Sequence, residues 1–208
     1  MTNPPKRKAM PPQERRRVIL DAALSVFSER GFASARIEDI ARRAGIGKGT
    51  VYLYFQDKES LFAGLVNTDL GPVITQARNL IALSDLPSRT LVASLFAIVE
   101  QDILNSPKRD LLRLMITELS AFPAVTEQYY RDLVEPGIAL IRSILERAES
   151  RGELRSRTVL DVPQFVMAPV VMSVLWNILF SKFGPFKLDA AFAFFLESLF
   201  TTAEGEAS

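Results

Sequence analysis

The sequence predicts an all-α protein, with a basic three-helix unit before residue 60 followed by a larger helical remainder. Three observations carry this. Apolar residues recur at i, i+3, i+4 and i+7 along most of the chain, and no stretch alternates as a half-buried strand does. Most glycines and prolines fall at the ends of those stretches. Charge also divides the chain: residues 1–60 hold twelve Lys and Arg against seven Asp and Glu, while residues 61–208 hold thirteen against seventeen. A basic end on a mildly acidic body is expected where that end meets a polyanion, although chance asymmetry of solvated faces gives the same count.

Taken in order, residues 1–12 are rich in proline and charge and read as a flexible basic arm with no signal-peptide core. From Gln13 to Arg30, Ile19, Ala22, Ala23, Val26 and Phe27 share one side of a helix, and Gly31 ends it. Ile37, Ile40, Ala41 and Ala44 make a short amphipathic helix that Gly45 stops, and a second short helix spans about 48–55. Asp57 is placed to cap the next helix, and Gly71-Pro72 should kink or break it. Further on, Pro87 opens a helix, Ser106-Pro107 another, and Pro123 a third region that Pro136 interrupts. Gly152 closes the stretch before it, and Gly184-Pro185 closes the uncharged segment that begins after Asp161. A last helix carries Phe192, Phe195, Leu196 and Leu199. The expected organisation is an arm over 1–12, a DNA-binding unit over 13–60 and a helical domain over 61–208, with nine or ten helices in all.

Composition removes most chemistry. The chain has no Cys and no His. Disulfides, thiolate metal sites and Ser-His or Cys-His nucleophiles are therefore absent, and only a carboxylate or lysine enzyme survives. No convergent acidic pair stands out, so no catalytic residue, metal or cofactor is expected. Residues 162–181 are uncharged and about long enough to cross a bilayer. Gln164, Pro169, Ser173 and Asn177 interrupt them, which favours a helix buried on several sides.

The stretch RRAGIGKGTVYLYF, residues 42–55, poses the functional question. A phosphate-binding loop needs Gly-x-x-x-x-Gly-Lys-Ser/Thr after a strand. With Gly47-Lys48 as the Gly-Lys pair, position 42 is Arg, position 49 is Gly, and the preceding segment reads as a helix. A helix-turn-helix fits instead. Val51 and Phe55, four apart, anchor the second helix to the first. Gly49, Thr50 and Leu53 point broadly away, with Tyr52 and Tyr54 on the flanks. Gly49 permits close backbone approach to DNA, and Lys48 reaches a phosphate or a guanine edge. Thr50 and Leu53 suit base-edge contacts, and both tyrosine hydroxyls suit phosphates. Lys58 adds a charge beside the N-terminal amides of the next helix. Plain alternatives stand beside these roles: Tyr54 as packing, and Lys48, Arg36 and Arg15–Arg17 as solvated charges.

The run RRRVILDAALSVFSERGFASARIEDIARRAGIGKGTVYLYFQDKESLF, residues 15–62, strongly resembles the N-terminal domain of the TetR family of bacterial transcriptional regulators. The run LLRLMITELSAFPAVTEQYYRDLVEPGIALIRSILERA is similar to a common subgroup of the family's C-terminal domains. The resemblance implies a three-helix, homeodomain-like DNA-binding domain and a C-terminal helical ligand-binding and dimerisation domain. It also implies a cytoplasmic homodimeric repressor, nucleoid-associated when bound to its operator and released from a palindromic site by a small molecule. Its DNA-contacting positions match Arg36, Lys48, Gly49, Thr50, Tyr52, Leu53, Tyr54 and Lys58. Many members carry threonine where Arg36 stands, so the helix-capping role passes to Ser34.

The same resemblance puts the dimer interface on helices at about 163–182 and 188–203. Seven of the fourteen Phe lie between 180 and 200, shared between that interface and the subunit's own core. Candidate pocket residues are Phe96, Met115, Glu118, Leu119, Phe122 and Trp176, each also readable as core or solvent-facing. Apart from Glu118, which could pair with a cationic or hydroxylated ligand, their uncharged character points to an apolar or aromatic ligand, with Gly71-Pro72 as a hinge. A ligand-independent DNA-binding protein or activator, whose large domain only dimerises, remains the other reading.

Overall fold

The computed structural model describes residues 10–82 and 85–201. Most of the expected arm, residues 1–9, lies outside them, as do residues 202–203 of the last expected helix. The chain divides into two compact units, residues 1–65 and 66–208. Among the described residues the only β feature is an isolated bridge between Leu154 and Phe200.

In the first unit, α1 (Pro12–Ser34) is broken at Gly31, whose φ is 77°. α2 (Ile37–Arg43), α3 (Lys48–Tyr52) and the start of α4 (Lys58–Asp69) follow. Phe27, Phe32 and Phe62 are fully buried, with ring centroids 5.3 to 6.0 Å apart. Ile19, Leu20, Ile40, Val51 and Leu61 complete this core, each burial contributing about 1.5–3 kcal/mol. Asp57 caps α4 reciprocally: the Ser60 N–H donates to Asp57 Oδ1 at 2.6 Å, and the Asp57 N–H donates to Ser60 Oγ at 3.1 Å.

The second unit contains α5 (Gly71–Ala82), α6 (Ser88–Val99), α7 (Arg109–Glu118), α8 (Pro123–Tyr129), α9 (Glu135–Ser150), α10 (Ala168–Phe180) and α11 (Leu188–Leu199). Pro72 sits just past a break at Leu70, as its lost N–H requires. Pro136 does not interrupt its helix, contrary to expectation. α8 runs into α9 through a widened π turn over Tyr130–Val134, which absorbs the missing hydrogen bond and the ring. A second π turn, Glu100–Leu104, extends α6. Glu153 caps the α6 N-terminus by accepting from the Ser88 N–H at 2.8 Å. The Arg155 side chain donates to the carbonyls of Glu197 and Phe200 at the end of α11, at 2.7 and 2.9 Å.

Residues 163–183 depart from the expectation of a helix buried on several sides. The segment is long and apolar enough to cross a membrane, yet only 28% of its most apolar stretch is buried within the chain. Phe165, Val171, Met172, Leu179, Phe180 and Phe183 are exposed there, and Phe194 of α11 is 71% exposed. The polar interruptions do not mark an all-round core helix; they belong to a helix with one covered side.

Candidate nucleic-acid interface and internal cavity

The turn between α2 and α3 is built by Gly45. Its φ of 67° lets the Gly45 N–H reach the Arg42 carbonyl at 3.2 Å and the Ile46 N–H reach the Ala41 carbonyl at 3.0 Å. This double bond pattern closes α2 and turns the chain into α3. α3 is regular for five residues only. The expected span to 55 is completed by tighter turns, with the Tyr54 and Phe55 N–H groups both donating to the Val51 carbonyl at 3.0 Å.

Val51 and Phe55 are buried, at 0% and 5% exposure, and anchor this segment. Phe55 is seated against Gly64 of α4, where an added Cβ would stand 2.7 Å from the ring and 3.3 Å from Leu20. Gly64→Ala is expected to lower the unfolding free energy by about 1–3 kcal/mol through overpacking. Denaturant titration checks this, and an unchanged midpoint would show that Phe55 moves aside freely.

The opposite side of α3 is open. Lys48, Gly49, Tyr52 and Leu53 are exposed, Leu53 at 83%. Nothing stands within 4 Å of a Cβ placed on Gly49, so a surface can approach the backbone there. Thr50 and Tyr54 are half-buried at the edges of this face. The Lys48 ammonium pairs with Glu38 of α2 and lies 5.6 Å from the Tyr52 ring centroid. Its hydrogen bond holds the Glu38 carboxyl below the ordinary carboxylate range, and the same bond raises Lys48. Glu38 was missed in the sequence, although an acidic residue in the first turn of α2, ten residues before Lys48, was a usable signal.

Two expected roles change. Neither Arg36 nor Ser34 caps α2: Arg36 occupies the N-cap position without a side-chain bond, and Ser34 lies in α1. Arg36 is exposed, with Glu38 and Asp39 in the first helical turn. Lys58 is not a solvent-facing charge. Its ammonium donates to the carbonyls of Ala33 and Ala35 at 3.0 and 3.4 Å and lies 4.7 Å from the Phe32 ring centroid. Asp57 also takes up the α4 amide at Ser60. Arg16 lies over the Phe55 ring at 5.2 Å, and Arg17 pairs with Asp21 at 2.9 Å.

The second unit holds a partly open cavity of about 320 Å³ among α5, α6, α7, α9 and α10. No charged residue lines it, and Tyr129 and Gln164 supply the polar side chains. Burial pushes the Tyr129 hydroxyl above its ordinary value, so it is neutral at physiological pH. Of the six pocket residues read from the sequence, only Met115 lines this space. Phe96 is stacked on Phe192 at 4.1 Å, and Leu119 is buried core. Trp176 donates its indole N–H to the Gly184 carbonyl at 2.9 Å. Glu118 and Phe122 also lie outside the lining. Large rings fill space, whereas the cavity opens beside small groups such as Ala77 and Gly137. Gly137 inside a helix was the available signal, and Ile103, Leu133 and Val134 reach the space from the two π turns.

Comparison with known proteins matches both units. Residues 19–65 match bacterial regulatory proteins of the tetR family, and residues 85–178 match a tetracyclin repressor-like C-terminal domain. The uncharacterized HTH-type transcriptional regulator YuxN of Bacillus subtilis is 27% identical over 106 residues, covering 51% of this chain and 35% of that protein. The matched chain thus spans about a third of that relative's length. AcrR of Shigella flexneri, an HTH-type transcriptional regulator, is 25% identical over 174 residues, 81% of this chain and 80% of that protein. The crystal structure of the transcriptional regulator FadR from Bacillus subtilis, in complex with stearoyl-CoA, has the same fold, with a TM-score of 0.74 at 19% identity. That match covers 87% of this chain and 95% of FadR. An exposed second helix in a glycine-turned pair, a separate helical unit around an apolar cavity, and sequence matches to both place this chain in the TetR family of DNA-binding transcriptional regulators.

Proposed function

We propose that the protein is a homodimeric cytoplasmic repressor that leaves a palindromic operator when an apolar ligand fills the cavity of its second unit. The observation that carries the reading is the α3 face, where Lys48, Gly49, Tyr52 and Leu53 are exposed together over a buried Val51 anchor. That face enters a major groove. Thr50 and Leu53 meet base edges, while Lys48, Tyr52, Tyr54 and Arg36 meet phosphates. Lys58 serves by holding the α1–α2 junction. Its phosphate role requires the ammonium to leave two carbonyls.

The uncovered apolar side of α10 and α11, where Leu179, Phe180, Phe183 and Phe194 are exposed, supports dimerisation. A two-fold pair places two α3 helices on successive major grooves. The cavity supports an apolar effector, and the stearoyl-CoA held by the similarly folded FadR favours a long-chain compound. Leu70 lines the cavity at the break before Pro72, so a ligand there bears on the Gly71-Pro72 hinge. The test is selection of bound genomic fragments, followed by titration of the complex with apolar compounds. Release of a palindromic fragment supports the proposal. Ligand-insensitive binding leaves the second unit as a dimerisation module only.

Glu38 sets the strength of binding. Its carboxylate occupies Lys48 and repels phosphates, and its depressed pKa keeps it charged at neutral pH; the pair is lost only on acidification through that lowered value. Glu38→Gln is expected to tighten operator binding several-fold at low salt and to steepen the salt dependence, as read by fluorescence anisotropy. Weaker binding at every salt concentration would show that Glu38 positions Lys48.

A further inference from the structure

A second cleft of about 680 Å³ lies against the same helices as the apolar cavity. On the π turn, Ile103 lines the cavity and Leu104 the cleft. On α7 the pair is Leu112 and Arg109, and on α10 it is Val170 and Asn177. Val174 lines both. The two spaces therefore adjoin along shared walls. Their linings differ in kind. The cavity has no charge, whereas Arg109, Arg113 and Lys187 reach the cleft together with Glu100, Asp110 and Asp189. Asp110 lies 3.9 Å from Arg113, and Asp189 sits in the first turn of α11, where the helix dipole offsets it. That leaves Arg109 and Lys187 against Glu100. Ser173 lines the cleft at 5% exposure.

We propose that the effector is a long-chain amphiphile, with its hydrocarbon tail in the 320 Å³ cavity and its anionic head in the adjoining cleft against Arg109, Lys187 and Ser173. This rests on the reading of the cavity as the effector site. Carboxylate and phosphate heads share the required chemistry. Calorimetric titration with hexadecanoate, hexadecyl phosphate and hexadecanol separates the cases, each probe being kept below its aggregation limit. At least one anionic probe should bind ten-fold or more tighter than the alcohol, and the tighter anion identifies the head. Each methylene removed from the tail should weaken binding about four-fold. The Arg109→Ala/Lys187→Ala double variant should lose at least ten-fold for the anion and little for hexadecanol. Gly137→Leu, which fills the cavity, should weaken all three. Equal binding of the alcohol and both anions, or a double variant that does not discriminate, overturns the head assignment and leaves the cavity reading standing. Binding untouched by Gly137→Leu, or no binding of any probe, overturns both.

Discussion

Lys48→Ala weakens operator binding by roughly one to two orders of magnitude and flattens its salt dependence. The Lys48 side chain is half exposed and engages Glu38 and the Tyr52 ring, both on the surface. Surface pairs of this kind contribute about 0–1 kcal/mol, so the fold is retained and the thermal midpoint barely moves. The loss falls on DNA. A lysine on a phosphate releases about 0.9 counterion, so a dimer lacking two such contacts loses about 2 from the slope of log K against log salt. Tyr52→Phe removes one hydroxyl and keeps the ring, so its effect is smaller, about 0.5–1.5 kcal/mol per contact. Anisotropy at two salt concentrations reads both variants. Wild-type affinity with an unchanged slope in Lys48→Ala would mean that α3 does not lie in the groove.

Leu179→Arg should turn the dimer into a monomer. Leu179 is 60% exposed in the protomer, beside Phe180 and Phe183 at 42% and 72%. Substitution at such a position leaves the protomer within about 0.5 kcal/mol of its stability. In the pair, however, each copy would bury a charge with no partner, at a cost of several kcal/mol. A face formed by two copies of the same patch carries the lesion twice. Light scattering at micromolar concentration should give one chain's mass, and operator affinity should fall by more than about a hundred-fold because one subunit reads only half a site. A dimer of unchanged stability would place the interface elsewhere on the molecule.

The parts of the protein legible in the sequence are those with local causes. Gly45 must adopt a positive φ to close α2, Val51 and Phe55 share a face by spacing alone, and Asp57 caps a helix three residues ahead of Ser60. The parts that were not legible depend on the far side of a contact. Lys58 reads as a free charge until Ala33 and Ala35, more than twenty residues earlier, present their carbonyls. Pro136 reads as a break until a π turn absorbs it. The pocket was sought among large side chains, of which Met115 lines the cavity, but a cavity is space left unfilled, and Phe96 and Trp176 are consumed by Phe192 and Gly184. The uncharged segment was read as a core helix because sequence alone does not separate a face covered by its own chain from one left exposed.

The central claim is that the outer side of α3 meets the bases. A photo-crosslinking side chain in place of Leu53, the most exposed residue of that side, tests it directly on the selected genomic fragment. Crosslinks to bases in both half-sites are expected, and none from the same group placed at Phe183. Crosslinks from Leu53 only to another protein chain, or DNA crosslinks from Phe183 in their place, would contradict it.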